Sequence, residues 1–296
     1  LIFVGYSEVD NFAAEATIWI MDSEGNDVNN FSYHLEQYDD YTNEAEVLYD
    51  IIETSDGNYV AVGKGWIREH GNYYYPLIIK FNEDGIIYTK HLIEDPLANV
   101  QDYLSVLELD NGNLLLTGSS VSSYALIVQT SSEGDFISLG MDHLSFELST
   151  GESRFFDAIH TTDNKLMLFG WAYNSFQGND FLTVKMDQQM NIEWISYDGD
   201  VFNGTDCGHG IVQLSDNTLV SSGIGKTNTQ PTWIPIVIRK HFQDGCMDPS
   251  GCNYNPYASN DNGSCYFDDV CGVCDGNDYD FCDYDGDGVN NYEQWG

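Results

Sequence analysis

The chain has 296 residues, and its 48 Asp and Glu against 10 Lys and Arg give a formal net charge of −38. A surface this acidic repels phosphate backbones and anionic headgroups, which excludes nucleic acid binding and disfavours membrane surfaces. Hydrophobic residues at 42% and aromatic residues at 14% supply a packed core and exclude general disorder. No apolar run reaches the roughly eighteen residues of a transmembrane helix, so we expect no membrane insertion.

Residues 1 to about 245 repeat one pattern, which consists of a polar turn, a short apolar strand and a closing glycine. The copies are SDGNYVAVG (55–63), DNGNLLLTG (110–118), TDNKLMLFG (162–170) and SDNTLVSSG (215–223), with a partial copy, LIFVG, at 1–5. The closing glycines follow one another at intervals of 52 to 58 residues. A period of this length indicates a repeat architecture and has to be considered before any local motif.

Each turn has a residue that tolerates a positive φ, six positions before the closing glycine. These residues are Gly57, Gly112, Asn164 and Asn217. Such residues are typical of tight hairpins, so each turn is predicted to join two antiparallel strands. A third apolar strand follows, as at 77–81, and a second polar turn leads to a more polar fourth strand, as at 86–93.

Four antiparallel strands in a unit of about fifty residues are the composition of a propeller blade. No segment has sustained helical periodicity. The predicted fold is therefore mainly β, with residues 1–245 forming a partial β-propeller of about five four-stranded blades. We expect this propeller to be incomplete at the N-terminus and to belong to a longer protein with six to eight blades.

The repeat resembles the blade-like repeats of large secreted proteins of Bacteroidota. The resemblance rests on TSDGNY (54–59) and LIIKFNEDG (77–85), which match the "TSDGGY" turn and "LIKLDANG" strand of that family. It implies a cell-surface protein exported by the type IX secretion pathway. It implies little about chemistry.

Cysteine use changes at about residue 245, because only Cys207 precedes that point. Six cysteines follow it: Cys246, Cys252, Cys265, Cys271, Cys274 and Cys282. The tail has few aliphatic residues, and such a segment needs cross-links or metals to hold a shape. We predict a disulfide module at 246–282 in an oxidising, extracellular compartment, with the pairing open among fifteen possibilities. The CxxC at 271–274 keeps a zinc site as the alternative.

The tail also resembles a module of secreted marine Bacteroidota proteins. Its sequence GCMDPSGCNYNPYASNDNGSC (245–265) is similar to the pattern "GCTDPxACNYNPxAxxDDGSC" over its whole length, with departures that include Gly251 and Asn262. Members of the family carry such modules in tandem as surface or structural elements. The resemblance implies no catalytic activity.

A calcium loop is predicted at 283–296, in the sequence DYDGDGVNNYEQ. Ca²⁺ prefers six to eight oxygen ligands, and a tight loop presents them from alternate positions. The candidate ligands are Asp283, Asp285, Asp287, the carbonyl of Val289, Asn291 and Glu293. The segment resembles thrombospondin type 3 repeats but has Gln294 where a bidentate acid is expected. The alternative is an acidic turn without an ion.

No catalytic constellation is recognisable, because the seven histidines are scattered and paired carboxylates are uninformative among 48 acids. We therefore expect no catalytic residues and a non-enzymatic extracellular adhesin or surface-fibre segment. Its expected partners are other copies or modules of the same assembly, surface glycans or another cell. The alternative is a secreted polysaccharide-acting enzyme or a glycan-binding propeller, with the tail as a linker.

Overall fold

The structure is a computed structural model, and it contains strands and turns but no helix among the residues that it describes. No described helix is long and apolar enough to cross a membrane. The described residues are 1–10, 13–33, 44–67, 73–85, 87–92, 100–120, 124–139, 152–174, 178–198, 205–227, 230–241, 243–246, 248–254, 258–261, 263–268 and 274.

The chain forms two compact units. Unit 1 contains residues 1–212 and 221–238, and unit 2 contains residues 213–220 and 239–296.

Twenty strands are described. The first ten are β1 (Ile2–Asp10), β2 (Ala13–Met21), β3 (Asp27–Tyr33), β4 (Glu44–Glu53), β5 (Tyr59–Ile67), β6 (Tyr73–Phe81), β7 (Ile87–Leu92), β8 (Val100–Glu108), β9 (Leu114–Ser120) and β10 (Ala125–Thr130). The others are β11 (Phe136–Leu139), β12 (Ser153–His160), β13 (Leu166–Asn174), β14 (Gly178–Met186), β15 (Ile192–Asp198), β16 (Thr205–Gln213), β17 (Thr218–Thr227), β18 (Gln230–His241), β19 (Gln243–Gly245) and β20 (Ala258–Asp261).

Consecutive strands pair in antiparallel meanders, which are the blades of the propeller. The meanders are β1-β2-β3, β4-β5-β6-β7, β8-β9-β10-β11, β12-β13-β14-β15 and β16-β17-β18, here called blades 1 to 5. A single parallel pair, Ala14↔Ala45, links blades 1 and 2 within one sheet. The prediction of a mainly β chain with about five propeller-like blades is confirmed. Among the described residues, blades 2 to 4 have the predicted four strands, and blades 1 and 5 have three.

The hairpin turns have the backbone that the sequence predicts. Gly57 and Gly112 have φ of 78° and 79°, and Asn164 and Asn217 have φ of 58° and 64°. In the second turn of blade 4, Met190 occupies the left-handed region with φ of 64°. This residue was not anticipated, because methionine rarely adopts a positive φ.

Three apolar cores lie between successive blades. Alternate residues of β5 and β6 contribute to two of them: Ala61, Leu77 and Ile79 pack toward blade 1, and Val60, Val62 and Ile78 pack toward blade 3. The third core joins β9 and β10 to β13 and β14. A strand that is covered on both faces needs an unbroken apolar run, which explains why the inner strands lack polar alternation.

An ion pair ties the first turn of a blade to its third strand. Lys80 donates to Asp56 and to Glu133 of the next blade, at 2.8 Å in both cases. Lys185 donates to Asp163 at 2.7 Å in the same manner. The lysines are buried, so their charges depend on these carboxylates.

Unit 2 is held by cross-links and polar contacts. Its disulfides are Cys246–Cys265 and Cys252–Cys274. Asn253 donates from Nδ2 to the carbonyl of Ser264 at 2.6 Å and accepts from the amide of Tyr266 at 2.8 Å. The strands β19 and β20 form a short parallel pair.

Candidate functional site

The closing glycines of the repeat lie against the first strand of each blade. A Cβ on Gly63, Gly118, Gly170 or Gly223 would lie between 1.9 and 2.2 Å from the carbonyl oxygen of Val47, Asp102, Arg154 or Cys207, respectively. In blades 2, 3 and 4 the first strand has a register shift immediately after this contact. The glycine is required because a β-bulge presses the neighbouring backbone onto it.

The bulge introduces one extra residue into each first strand and redirects the side chains that follow. The extra residues are Tyr49, Leu104 and Phe156, and alignment on the closing glycines places His209 at the same position in blade 5. Phe156 contacts His209 edge-on, with ring centroids 4.8 Å apart. Side chains of successive first strands therefore touch one another.

Carboxylates immediately after two of the bulges join neighbouring first strands. Asp50 accepts from the hydroxyl of Ser105 at 2.8 Å and from the amide of Val106 at 2.9 Å. Asp157 accepts from the amide of Ile211 at 2.8 Å. These contacts run from blade 2 to blade 3 and from blade 4 to blade 5, so the first strands of each of these two pairs of blades lie side by side.

The carboxyl groups of Asp50 and Asp157 both have a raised pKa. The pKa of Asp157 is raised to about 6, mainly by burial. The hydrogen bond from the amide of Ile211 acts in the opposite direction, and the charge of Asp50 adds to the upward shift. Burial also raises the pKa of Asp50, although three hydrogen bonds act in the opposite direction. Since both carboxylates accept backbone amides, their first role is to join blades.

Acidic side chains also lie buried near the start of three first strands. We call Glu46, Asp102 and Asp206 the strand-start carboxylates, and their exposed fractions are 0%, 1% and 2%. Glu46 pairs with Gly65 and Asp102 with Ser119, just beyond the closing glycines of blades 2 and 3. Asp206 lies at the corresponding end of blade 5, with one oxygen 2.2 Å from a Cβ built on Gly225. The register places all three at the same end of their blades.

In blade 4 an arginine lies at the same end. Arg154 pairs with Trp171, one residue beyond the closing glycine, as Asp102 does with Ser119. The Ser119 hydroxyl donates to Asp102 at 2.7 Å and accepts from Arg154 at 2.8 Å, and the guanidinium lies 3.8 Å from the second Asp102 oxygen. A carboxylate and a guanidinium from adjacent blades therefore form one fixed polar cluster.

Aromatic and basic groups lie near the first strands of blades 4 and 5. The guanidinium of Arg154 lies 5.6 Å from the ring centroid of Phe156. Burial lowers the pKa of His209, which favours its neutral form. Lys226 lies 4.7 Å from the ring centroid of Trp233, whose side chain is exposed.

Cys207, in the first strand of blade 5, is a free, half-buried thiol. Burial raises its pKa, a hydrogen bond with Asn179 lowers it, the charge of Asp206 raises it, and the charge of Lys226 lowers it. The net upward shift keeps the thiol protonated at neutral pH, which argues against a nucleophilic role.

Unit 1 contains both hydrogen-bonding groups and exposed ring surface. Buried carboxylates accept bonds from hydroxyl groups, a guanidinium donates them, and an exposed indole offers a flat apolar face. This combination suits a polyhydroxylated ligand. Two carboxyl groups across a glycosidic bond are also the usual equipment for its hydrolysis.

The predicted calcium loop lies outside the described residues, and so do Cys271 and Cys282. The other four tail cysteines form the two disulfides of unit 2. Among the described residues, Cys252, Asp268 and Cys274 form the one group of three potential metal ligands. Because Cys252 and Cys274 are bonded to each other, their sulfurs are unavailable as thiolate ligands.

Sequence reasoning missed the strand-start carboxylates and Arg154. They are separated by about fifty residues along the chain and look unremarkable among 48 acids. The signal was available in the repeat: when the copies are aligned on their closing glycines, charged residues recur near the start of the first strand.

No protein-family model and no curated protein matches this chain. Among solved structures, the chain is similar to an α-L-arabinanase of Penicillium chrysogenum complexed with arabinobiose, with 14% identity, a TM-score of 0.45, and coverage of 68% of this chain and 63% of that one. It is also similar to an α-L-arabinofuranosidase of Fusarium graminearum, with 15% identity, a TM-score of 0.45, and coverage of 65% and 61%. A third similar structure is a sialidase of Trypanosoma rangeli, with 16% identity, a TM-score of 0.47, and coverage of 80% of this chain and 37% of that one.

The chain thus spans less than two thirds of the length of these similar structures. All three are propeller glycoside hydrolases, and this finding contradicts the prediction that the chain is not an enzyme. That prediction relied on the lack of a local catalytic motif. In a propeller the side chains of a site come from several blades, so a local motif is not to be expected.

Proposed function

We propose that unit 1 is a glycan-acting propeller that binds a polysaccharide at the end marked by the strand-start carboxylates and hydrolyses its glycosidic bonds. The observation that carries the proposal is the cluster formed between two adjacent blades by the buried Asp102 and Ser119 and the partly buried Arg154. Burying a carboxylate and a guanidinium costs free energy unless they are paired, and such groups are common where a ligand is bound.

Charge restricts the class of polysaccharide. A chain with a net charge of −38 and acidic side chains at the site repels uronic and sialic acids. Neutral polysaccharides have no such penalty, and their hydroxyl groups donate to carboxylates. The proposed ligand is therefore an uncharged polysaccharide.

Asp102→Asn and Asp206→Asn test this proposal, with Asp27→Asn on the exposed strand β3 as the matched control. The measurements are sugar release from neutral and acidic polysaccharides, and retardation of the chain in gels that contain them. We expect release from a neutral polysaccharide to fall by about 100-fold or more in the site variants, since positioned acids and bases contribute on this scale. Lack of both release and retardation with every neutral polysaccharide would contradict the proposal.

We also propose an extracellular or cell-surface location, because disulfides such as Cys246–Cys265 form and persist in oxidising compartments. The resemblance to secreted Bacteroidota proteins and their type IX pathway agrees with this location. Within such an assembly, the proposed partners are glycans and further modules of the same surface protein.

Calcium binding at 283–294 remains a proposal that the loop sequence supports. Three alternating aspartates and a glycine at the sixth position suit a hard cation. Calorimetry on the full chain should detect calcium binding at millimolar ion concentration. Asp285→Ala should weaken it at least tenfold, and Glu293→Ala should do so only if that acid replaces the one expected at Gln294.

A further inference from the structure

Arg154 and Asp102 form an ion pair between blades in which the arginine is the more accessible partner. Their side chains are 27% and 2% exposed, and Nη2 of Arg154 lies 3.8 Å from Oδ2 of Asp102. Ser119 lies between them, because its hydroxyl donates to Oδ1 of Asp102 at 2.7 Å and accepts from Nη2 of Arg154 at 2.8 Å. A ligand at this end of the blades therefore reaches the guanidinium more easily than the carboxylate.

The guanidinium of Arg154 is fixed in position and still has donors for a ligand. It has five N–H donors, of which the Ser119 hydroxyl takes one. The separation of 3.8 Å from Asp102 is too long for a hydrogen bond. The ring of Phe156, with its centroid 5.6 Å away, adds a cation–π contact. Arg154 is therefore held by contacts that do not need the charge of Asp102.

The charge of Asp102 decides which ligands this arginine can take. A fixed guanidinium binds a carboxylate well, through two parallel hydrogen bonds. Asp102 already neutralises Arg154 from 3.8 Å and would repel a second carboxylate on the same group. The net charge of −38 is spread over the whole chain, and its repulsion is largely screened beyond about 8 Å in physiological salt. The buried Asp102 is screened much less.

We propose that Asp102 makes the site select uncharged sugars, because it neutralises Arg154 and excludes ligands that carry a carboxylate. This inference rests on the proposed glycan site and assigns the choice of substrate class to one side chain. An unfavourable charge is a common way to reject a competing ligand. Asp102→Asn should therefore have opposite effects on two classes of ligand: it lowers sugar release from neutral polysaccharides and creates affinity for acidic sugars.

D-Glucuronate and D-glucose are suitable probes, because they differ by a carboxylate at one carbon. The chain has three arginines, so labelling with 15N-arginine gives few side-chain NMR signals, and Arg154→Gln identifies that of Arg154. We expect glucuronate to shift this signal saturably in Asp102→Asn, with an affinity about tenfold or more above that of the parent chain, since charged hydrogen bonds contribute on this scale. Glucuronate should also raise the thermal unfolding midpoint of the variant. Glucose should show neither gain.

Two further variants separate the local pair from the overall charge. Asp27→Asn removes the same charge from the exposed strand β3 and should behave as the parent chain does. The double variant Asp102→Asn with Arg154→Gln should lose the gain in the unfolding midpoint. A gain of equal size in Asp27→Asn, a gain that persists in the double variant, or no gain in Asp102→Asn would overturn the inference.

The result is independent of hydrolysis. A gain in glucuronate binding by Asp102→Asn, with no sugar release from any neutral polysaccharide by the parent chain, would refute the proposed hydrolysis and support the role of Asp102 in selection. If Asp102→Asn does not fold, the same measurements are made on Asp102→Ser, which keeps an oxygen for the Ser119 hydroxyl without the charge.

Discussion

Units 1 and 2 differ in the interactions that stabilise their folded state. In unit 1 whole strands are enclosed between blades, and Leu114, Leu115 and Leu116 are all fully buried. The described part of unit 2 buries only two apolar side chains, Leu219 and Cys246, and Cys246 is itself half of a disulfide. Unit 1 is therefore stabilised by removal of apolar surface from water, and unit 2 by restriction of its unfolded chain.

Reduction of the disulfides should produce the largest difference in stability between the two units. Bridges that span 19 and 22 residues each contribute about 3 kcal/mol in the chain-entropy model, which is most of what a segment without a core has. We expect proteases to cut residues 246–274 after reduction while residues 1–212 resist. The measurement is limited proteolysis with mass spectrometry, and equal cleavage of the blades would contradict the comparison.

Replacement of a closing glycine by alanine should destabilise unit 1 and leave unit 2 unchanged. In Gly170→Ala the new Cβ lies 1.9 Å from the carbonyl oxygen of Arg154, so the paired backbones must separate. We expect a loss of about 4 kcal/mol in the free energy of unfolding, measured with urea. The control is Gly5→Ala, where the Cβ would come no closer than 3.4 Å to its nearest described neighbour, the ring of Trp19, and equal losses in both variants would refute the bulge explanation.

Mild acid should stabilise unit 1 through Asp157. Its folded pKa of about 6 lies above the ordinary value of 3.8, so the folded state binds the proton more tightly than the unfolded state. The contribution is fully present below pH 3.8 and is lost as the pH rises through 6; it amounts to roughly 3 kcal/mol. Asp157→Asn should remove this pH dependence, and the difference between its unfolding midpoint and that of the parent chain should grow between pH 4 and pH 7.

The ion pair between the first turn and the third strand of a blade should contribute more to the free energy of unfolding in unit 1 than in unit 2. Asp56→Ala leaves the buried Lys80 with Glu133 alone, and we expect a cost of about 2 kcal/mol. Asp216 and Arg239 in unit 2 are both largely exposed and 3.4 Å apart, so Asp216→Ala should cost less than about 0.5 kcal/mol. Urea unfolding of the two variants measures the difference. Similar losses in the free energy of unfolding would show that burial does not determine how much the ion pair contributes to stability.

The sequence by itself determined the parts of this protein that depend on neighbours in the chain. Gly57, Gly112, Asn164 and Asn217 marked the hairpins because only a few residue types accept a positive φ. The fifty-residue period indicated blades, and the cysteine count indicated a cross-linked tail. These features are local, so they can be predicted without knowledge of the packing.

Only the tertiary structure decided why the closing glycines recur and where a site is formed. Gly170 is required by the carbonyl of Arg154, a contact that depends on a bulge in a strand sixteen residues earlier. Asp102 and Arg154 come from different blades and meet at Ser119 through blade packing. The aligned repeats mark charged residues near the start of the first strands, but they do not show that Asp102 and Arg154 meet, because that contact forms only when first strands about fifty residues apart in the chain pack together.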